Sequence, residues 1–112
     1  MEKVIVYSKD IEGYLNNLID ILFYQDYFSY IENAEKYVEN LKDEIEKYID
    51  VKQHYKSPRN LEQFGKQFII VSLNNKTSWY ILFDRKDNRF LIQFITNNHV
   101  EESKTILECI NN

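Results

Sequence analysis

Glycine and proline are scarce in this chain of 112 residues, which holds two glycines and one proline. So few backbone breakers exclude a flexible linker or a disordered tail and point to ordered elements with short connections. The single cysteine, Cys109, has no partner for an internal disulfide, so the fold rests on its core and a reducing compartment is expected. No apolar run approaches the about 20 residues of a membrane span, and the N-terminal MEKVIVYSKD is too short a hydrophobic stretch for a signal peptide. The expectation is a cytoplasmic protein with no membrane contact. Cys109 with His54 or His99 lacks metal-ligand spacing, and there is no phosphate loop, dinucleotide fingerprint or nucleophile elbow. No metal and no cofactor are expected.

What the chain does have is apolar and aromatic material, 44% and 15% of its residues, beside 29% charged residues. Its length suits one domain over 1–112 with a single core. The net charge of -4 is unevenly spread. Residues 1–50 hold five Lys against twelve Asp or Glu, and residues 51–112 hold nine Lys or Arg against six Asp or Glu. The N-terminal half is acidic and the C-terminal half basic, which either steers an anionic partner to the latter or reflects no more than Glu-rich surface helices.

Val4 to Tyr7 read as a first strand, and Ser8 as the N-cap of a helix whose stripe is Ile11, Tyr14, Leu15, Leu18, Ile19 and Leu22. Gly13 weakens that helix by roughly 1 kcal/mol relative to Ala. Ser29 and Glu32 match a capping box for a second helix, with Ala34, Tyr37, Val38, Leu41, Ile45 and Ile49 on one face and Glu and Lys on the other. Two such helices joined by a few residues make an antiparallel hairpin. Asp50 to Gly65 read as a basic loop pinned by Leu61 and Phe64.

Three apolar runs follow, Phe68–Leu73, Trp79–Phe83 and Phe90–Ile95, each free of Gly and Pro. They read as a three-stranded antiparallel meander. A two-residue turn at Asp87-Asn88 sets Lys86 against Arg89, Phe83 against Ile92, Ile81 against Phe94 and Trp79 against Thr96. One face is then wholly apolar and belongs under the helices. The other, with Tyr80, Leu82, Leu91, Gln93 and Ile95, is left half-covered. Asn98 and Glu101 mark a short C-terminal helix through Val100, Ile106, Leu107 and Ile110. The expected fold is α+β in the order βααβββα, a helical hairpin packed on one face of a small antiparallel sheet.

That element order resembles the RelE/ParE family of bacterial type II toxins. So does the run from Asn60 through Asn98, with Gly65 before a strand, Trp79-Tyr80-Ile81-Leu82-Phe83, the Asp84–Asn88 turn, the strand Phe90–Thr96 and the polar Asn97-Asn98-His99. The resemblance implies a toxin neutralised by a small antitoxin that wraps it with an extended or helical segment. It also implies a target, either messenger RNA on the ribosome or DNA gyrase. The nuclease branch is metal-independent and needs an acid, a base and cations for the phosphorane charge. This sequence departs from it, since Tyr80 stands where that branch usually has an Arg, and Asn97 and Asn98 replace basic residues near the last strand.

Within that resemblance the candidate catalytic residues are His99, Arg85 and Tyr80. His99 is either a general acid working near neutral pH or a polar residue in a first helical turn. Arg85, Lys86 and Arg89 at the hairpin tip, with Lys52, Lys56 and Arg59 in the basic loop, are candidate contacts to nucleic acid or target, or ordinary solvated charge. Tyr80 and Tyr55 are candidates for stacking on a base. Leu82, Leu91, Gln93 and Ile95 are the candidate partner-binding residues. The alternative is a protein-binding module without catalysis on the same scaffold, either a degenerate toxin or an immunity-like inhibitor whose acidic hairpin mimics nucleic acid.

Overall fold

The computed structural model describes residues 2–24, 31–74, 76–100 and 103–106. Strand β1 (Val4–Tyr7) leads into helix α1 (Lys9–Tyr24), which is followed by helix α2 (Ile31–Tyr48). A two-residue strand β2 (Tyr55–Lys56) and a 3-10 segment (Arg59–Phe64) precede strands β3 (Gln67–Ser72), β4 (Ser78–Lys86) and β5 (Arg89–Asn97). A last helical turn covers residues 103–106. Among the described residues, no helix is long and apolar enough to cross a membrane.

The cap at the start of α1 forms as its sequence requires, with the Ile11 amide donating to Ser8 Oγ at 3.3 Å. The capping box expected at Ser29 lies outside the described residues, as do Glu101, Leu107 and Ile110 of the expected C-terminal helix. Ile11, Leu15 and Leu18 of α1 and Val38, Leu41 and Ile45 of α2 pack on Ile69, Val71, Trp79, Ile81, Phe83, Phe90, Ile92 and Ile95 of the sheet. Across the helical layer, the Trp79 indole donates to Tyr37 Oη at 2.9 Å, so a large buried ring keeps its N–H satisfied.

The meander is present, but the sheet is larger and mixed. Its strand order is β1-β5-β4-β3-β2, and β1 lies parallel to β5. A wholly antiparallel sheet is therefore corrected to a five-stranded mixed one. The helical hairpin supplies the crossover that a parallel pair requires, since β1 is joined through both helices to the far side of the sheet. The Asp87-Asn88 turn holds, with Asp87 at φ 57 and Lys86 paired with Arg89.

Register holds from the turn to Phe83–Ile92 and then shifts by one residue, so that Leu82 pairs with Phe94, Ile81 with Ile95 and Trp79 with Asn97. Gln93 is the extra residue, and its side chain donates to Asp84 Oδ2 at 2.8 Å. A bulge of one residue reverses the faces beyond it. Ile95 consequently goes under the helices and Phe94 comes out, the reverse of the pairing expected from the turn alone.

The outer face is not left open either. Leu61, Phe68, Tyr80, Leu82 and Ile106 form a second buried cluster there, flanked by Tyr55, Phe64, Ile70 and Phe94. Phe64 stacks on Phe94 with centroids 4.8 Å apart, and Tyr55 stacks on Phe68 at 5.2 Å. The 3-10 segment and the last helical turn thus cover the outer side of β3 and β4. Among the described residues the β1–β5 side of that face remains bare, where Val4, Val6 and Leu91 are 46%, 50% and 39% exposed.

Candidate functional site

Gly65 sets the start of β3. Its φ of 146 is one that L side chains rarely adopt, and a Cβ there would stand 2.5 Å from the Phe83 amide nitrogen. This close approach brings Lys66 beside β4, where its amide donates to Asp84 Oδ1 at 3.0 Å. The Ser57 amide donates to the Lys66 carbonyl at 2.9 Å and aligns the end of β2 with the same edge. Lys56, Lys66 and Arg85 line one groove of about 520 Å³ with His54, Gln67, Phe83 and Asp84. Lys86 and Arg89 close the β4–β5 hairpin beside it.

This end of the sheet is a cluster of exposed cations. Both Asp84 oxygens are already engaged, by the Lys66 amide and the Gln93 side chain. The Arg85 guanidinium lies 4.9 Å from the Phe90 ring centroid and donates from Nε to the Asp87 carbonyl at 2.7 Å. Among the described residues, none of Lys56, Lys66, Arg85, Lys86 and Arg89 is within salt-bridge distance of a carboxylate. His54 Nε2 sits 2.6 Å from the Ile49 carbonyl, with its ring edge-on to Phe83, so it fastens the α2 terminus to the sheet. Lys3 does the same from the residue before β1, pairing with Asp50 at 2.7 Å and lowering that carboxyl's pKa chiefly through the hydrogen bond.

Arg59 begins the 3-10 segment and is exposed. Lys52 belongs elsewhere, 5.6 Å from the Tyr48 centroid and lining a shallow groove with Gln53, Tyr55, Ile70 and Ser72.

His99 lies at the opposite end of the sheet. Its Nε2 is 3.1 Å from Thr77 Oγ1, and its amide donates to Asn97 Oδ1 at 2.9 Å. Asn98 exchanges hydrogen bonds with Ser78 and donates to the Lys76 carbonyl at 3.1 Å. The Asn97-Asn98-His99 run therefore clamps the β3–β4 connection onto the end of β5. Beside it, Tyr14, Leu18, Tyr37, Trp79, Asn74 and Thr77 line part of a cleft of about 590 Å³.

The three candidate catalytic residues are not brought together. Ser78 and Arg85 are seven steps apart on β4, which at about 3.4 Å per step puts the His99 end and the Arg85 end roughly 24 Å from each other. Proton transfer needs its groups within hydrogen-bond reach of one reacting site. Tyr80, between them, is buried on the outer face, and burial raises its hydroxyl pKa. His99, Arg85 and Tyr80 thus lie apart, His99 against Thr77 beyond β5, Arg85 exposed at the hairpin tip and Tyr80 in the outer core.

The candidate partner residues also divide. Leu82 is fully buried beneath Leu61 and Ile106, and Ile95 is buried on the helical side by the Gln93 bulge. Leu91 is exposed and Gln93 half-buried. Val4 and Val6 belong with Leu91 and were not legible as surface, because four apolar residues in a row do not reveal a sheet edge. Lys66 was visible only as one more cation, since its place depends on the strand pairing. Comparison of the chain with protein-family models, curated proteins and solved structures finds no match.

Proposed function

We propose that this chain is the toxin-type member of a bacterial toxin–antitoxin pair, acting by binding its target rather than by cutting RNA. The observation that carries the binding half is the cationic end, where Lys56, Lys66, Arg85, Lys86 and Arg89 outnumber Asp84 and Asp87 and, among the described residues, none is in salt-bridge contact with a carboxylate. An excess of cations at one end of the sheet is suited to phosphates of a nucleic acid or to an acidic face of a protein target. The separation of His99 from Arg85 and the burial of Tyr80 argue against a shared acid–base site. Of the two targets that the RelE/ParE resemblance implies, messenger RNA on the ribosome and DNA gyrase, the second needs no cleavage by the toxin itself. The bare Val4–Val6–Leu91 strip offers the neutralising antitoxin a place to dock.

A second reading is favoured by the same dispersal of the candidate trio: a protein-binding module that has the scaffold and no toxicity. The two separate on expression in a bacterium, with and without the neighbouring gene. Growth arrest relieved by the neighbour, without RNA cleavage, is the result expected of the first reading. No growth defect in either case removes it and leaves the second.

A further inference from the structure

We infer that the free edge of β1 pairs with β1 of a second copy of this chain, antiparallel about a two-fold axis, so that two five-stranded sheets join into one. Nothing in this pairing depends on the toxin reading.

Among the described residues β1 pairs on one side only, with β5. The Val4 amide donates to the Asn88 carbonyl at 2.8 Å and the Ser8 amide to the Ile92 carbonyl at 2.9 Å. Backbone groups alternate sides along a strand, so the N–H and C=O of Lys3, Ile5 and Tyr7 point away from β5. Unpaired edges are templates for another strand, and edges that stay single are commonly blunted by proline, a bulge or a charge. From Val4 to Tyr7 the strand has none of these.

A two-fold axis at Ile5 sets Ile5 against Ile5 of the second copy, Lys3 against its Tyr7 and Val4 against its Val6. The Ile5 and Lys3–Tyr7 pairs use the outward groups and make about six backbone hydrogen bonds. The Val4–Val6 pairs are of the closer kind without hydrogen bonds, and they set together side chains that are about half exposed in the single chain. Pairing takes the edge and not the face, so the Val4–Val6–Leu91 strips of the two copies join into one band on the outer side.

Charge selects a copy over a strongly charged partner. Lys3 bonds Asp50 Oδ1 at 2.7 Å and the Lys47 carbonyl at 3.1 Å, which leaves its ammonium a third N–H. At the other end of the strand Glu46 and Asp43 of α2 stand beside Tyr7, with the Lys42 Nζ 5.4 Å from the ring centroid. The edge is thus cationic at Lys3 and anionic in balance at Tyr7. A strongly acidic or strongly basic segment meets like charge at one of these ends. A copy turned by the two-fold brings Lys3 of each chain to Glu46 and Asp43 of the other, the same contact made twice.

Sedimentation equilibrium of the full chain should give a reversible dimer. Raising the concentration should slow amide exchange at Ile5 and Tyr7 and leave Val4 and Val6, already paired with β5, unchanged. Ile5→Pro removes an outward donor at an edge, where proline is tolerated, and should leave a monomer with native circular dichroism. Charge reversal tests the pairing independently of how the proline variant folds. Lys3→Glu and Glu46→Lys should each weaken the dimer about tenfold, since each sets like charges together at both symmetric contacts. Mixed in equal amounts, the two variants should form a heterodimer of about native affinity, because every such contact is again between opposite charges. A native chain that stays monomeric up to about 1 mM overturns the inference. So does a dimer that Ile5→Pro leaves intact, one whose affinity neither charge reversal changes, or a mixture of the two variants that associates no better than each alone.

Discussion

Replacing each of the two glycines with alanine should move stability in opposite directions. At Gly65 the added Cβ would lie 2.5 Å from the Phe83 nitrogen and 2.9 Å from the carbonyl carbons of Leu82 and Phe83. All three are backbone atoms of the central strand and have no rotamer with which to move aside. The φ of 146 is itself closed to alanine without strain. Backbone strain of about 1–3 kcal/mol and overpacking of about 1–3 kcal/mol together predict a loss of about 2–6 kcal/mol. A domain of this size is stable by roughly 6–17 kcal/mol, so Gly65→Ala removes a large part of the margin. Gly13 is the internal control: nothing lies within 4 Å of its Cβ position, and it sits in α1. Gly13→Ala should therefore gain about 0.5–1 kcal/mol from the backbone alone. Urea unfolding followed by circular dichroism measures both, the first as a lower midpoint and the second as a higher one. A loss below about 1 kcal/mol at Gly65 would refute the close approach that places Lys66 beside β4.

Three further outcomes are expected. The Tyr7 hydroxyl is buried without a hydrogen-bond partner among the described residues, and burial first, then Glu46 and Asp43, raises its pKa. Tyr7→Phe should be neutral or stabilising by up to about 1 kcal/mol at pH 7; a larger loss in thermal unfolding would show that the hydroxyl holds a bond to Glu46. Because the folded pKa lies above the unfolded one, Tyr7 contributes stability that is complete below about pH 10 and lost as pH rises further, so Tyr7→Phe should also flatten the alkaline limb. Asp50 has the opposite sign: its carboxyl is lowered by the hydrogen bond from Lys3, so that stability is present above the ordinary carboxyl pKa and lost as pH falls through the lowered value. Lys3→Ala should shrink the acid limb of a stability–pH profile, and an unchanged limb would count against the pair. Trp79→Phe leaves Tyr37 Oη without its indole donor and a space in the core, and should cost about 1–3 kcal/mol by urea unfolding.

The parts of the fold that local chemistry decides were readable from the residues. Ser8 caps α1, the Asp87-Asn88 turn joins β4 to β5, and both helical stripes face the sheet. The parts decided by one residue too many, or by contacts distant in sequence, were not. Gln93 has nothing about it that announces a bulge, yet it exchanges the faces of Phe94 and Ile95. The cover over Tyr80 and Leu82 comes from Leu61 and Ile106, far away along the chain, so a face that alternation marks as half-open is closed. The wide spacing of the candidate trio has a different origin. It follows from the antiparallel pairing that the Asp87-Asn88 turn already implied, with Arg85 at the hairpin tip and His99 beyond the far end of β5. The cationic tip itself was legible, because a short charged turn between two apolar strands has nowhere else to go.

Growth inhibition by two variants tests the central claim most directly, in cells expressing the chain without its neighbour and with protein levels matched. The triple variant Arg85→Ala, Lys86→Ala and Arg89→Ala removes the hairpin cations, and His99→Ala removes the candidate acid at the other end of the sheet. The account predicts that the triple variant lets cells grow while His99→Ala still arrests them. Arrest that persists in the triple variant and vanishes in His99→Ala would contradict it, and would return the site to the opposite end of β4.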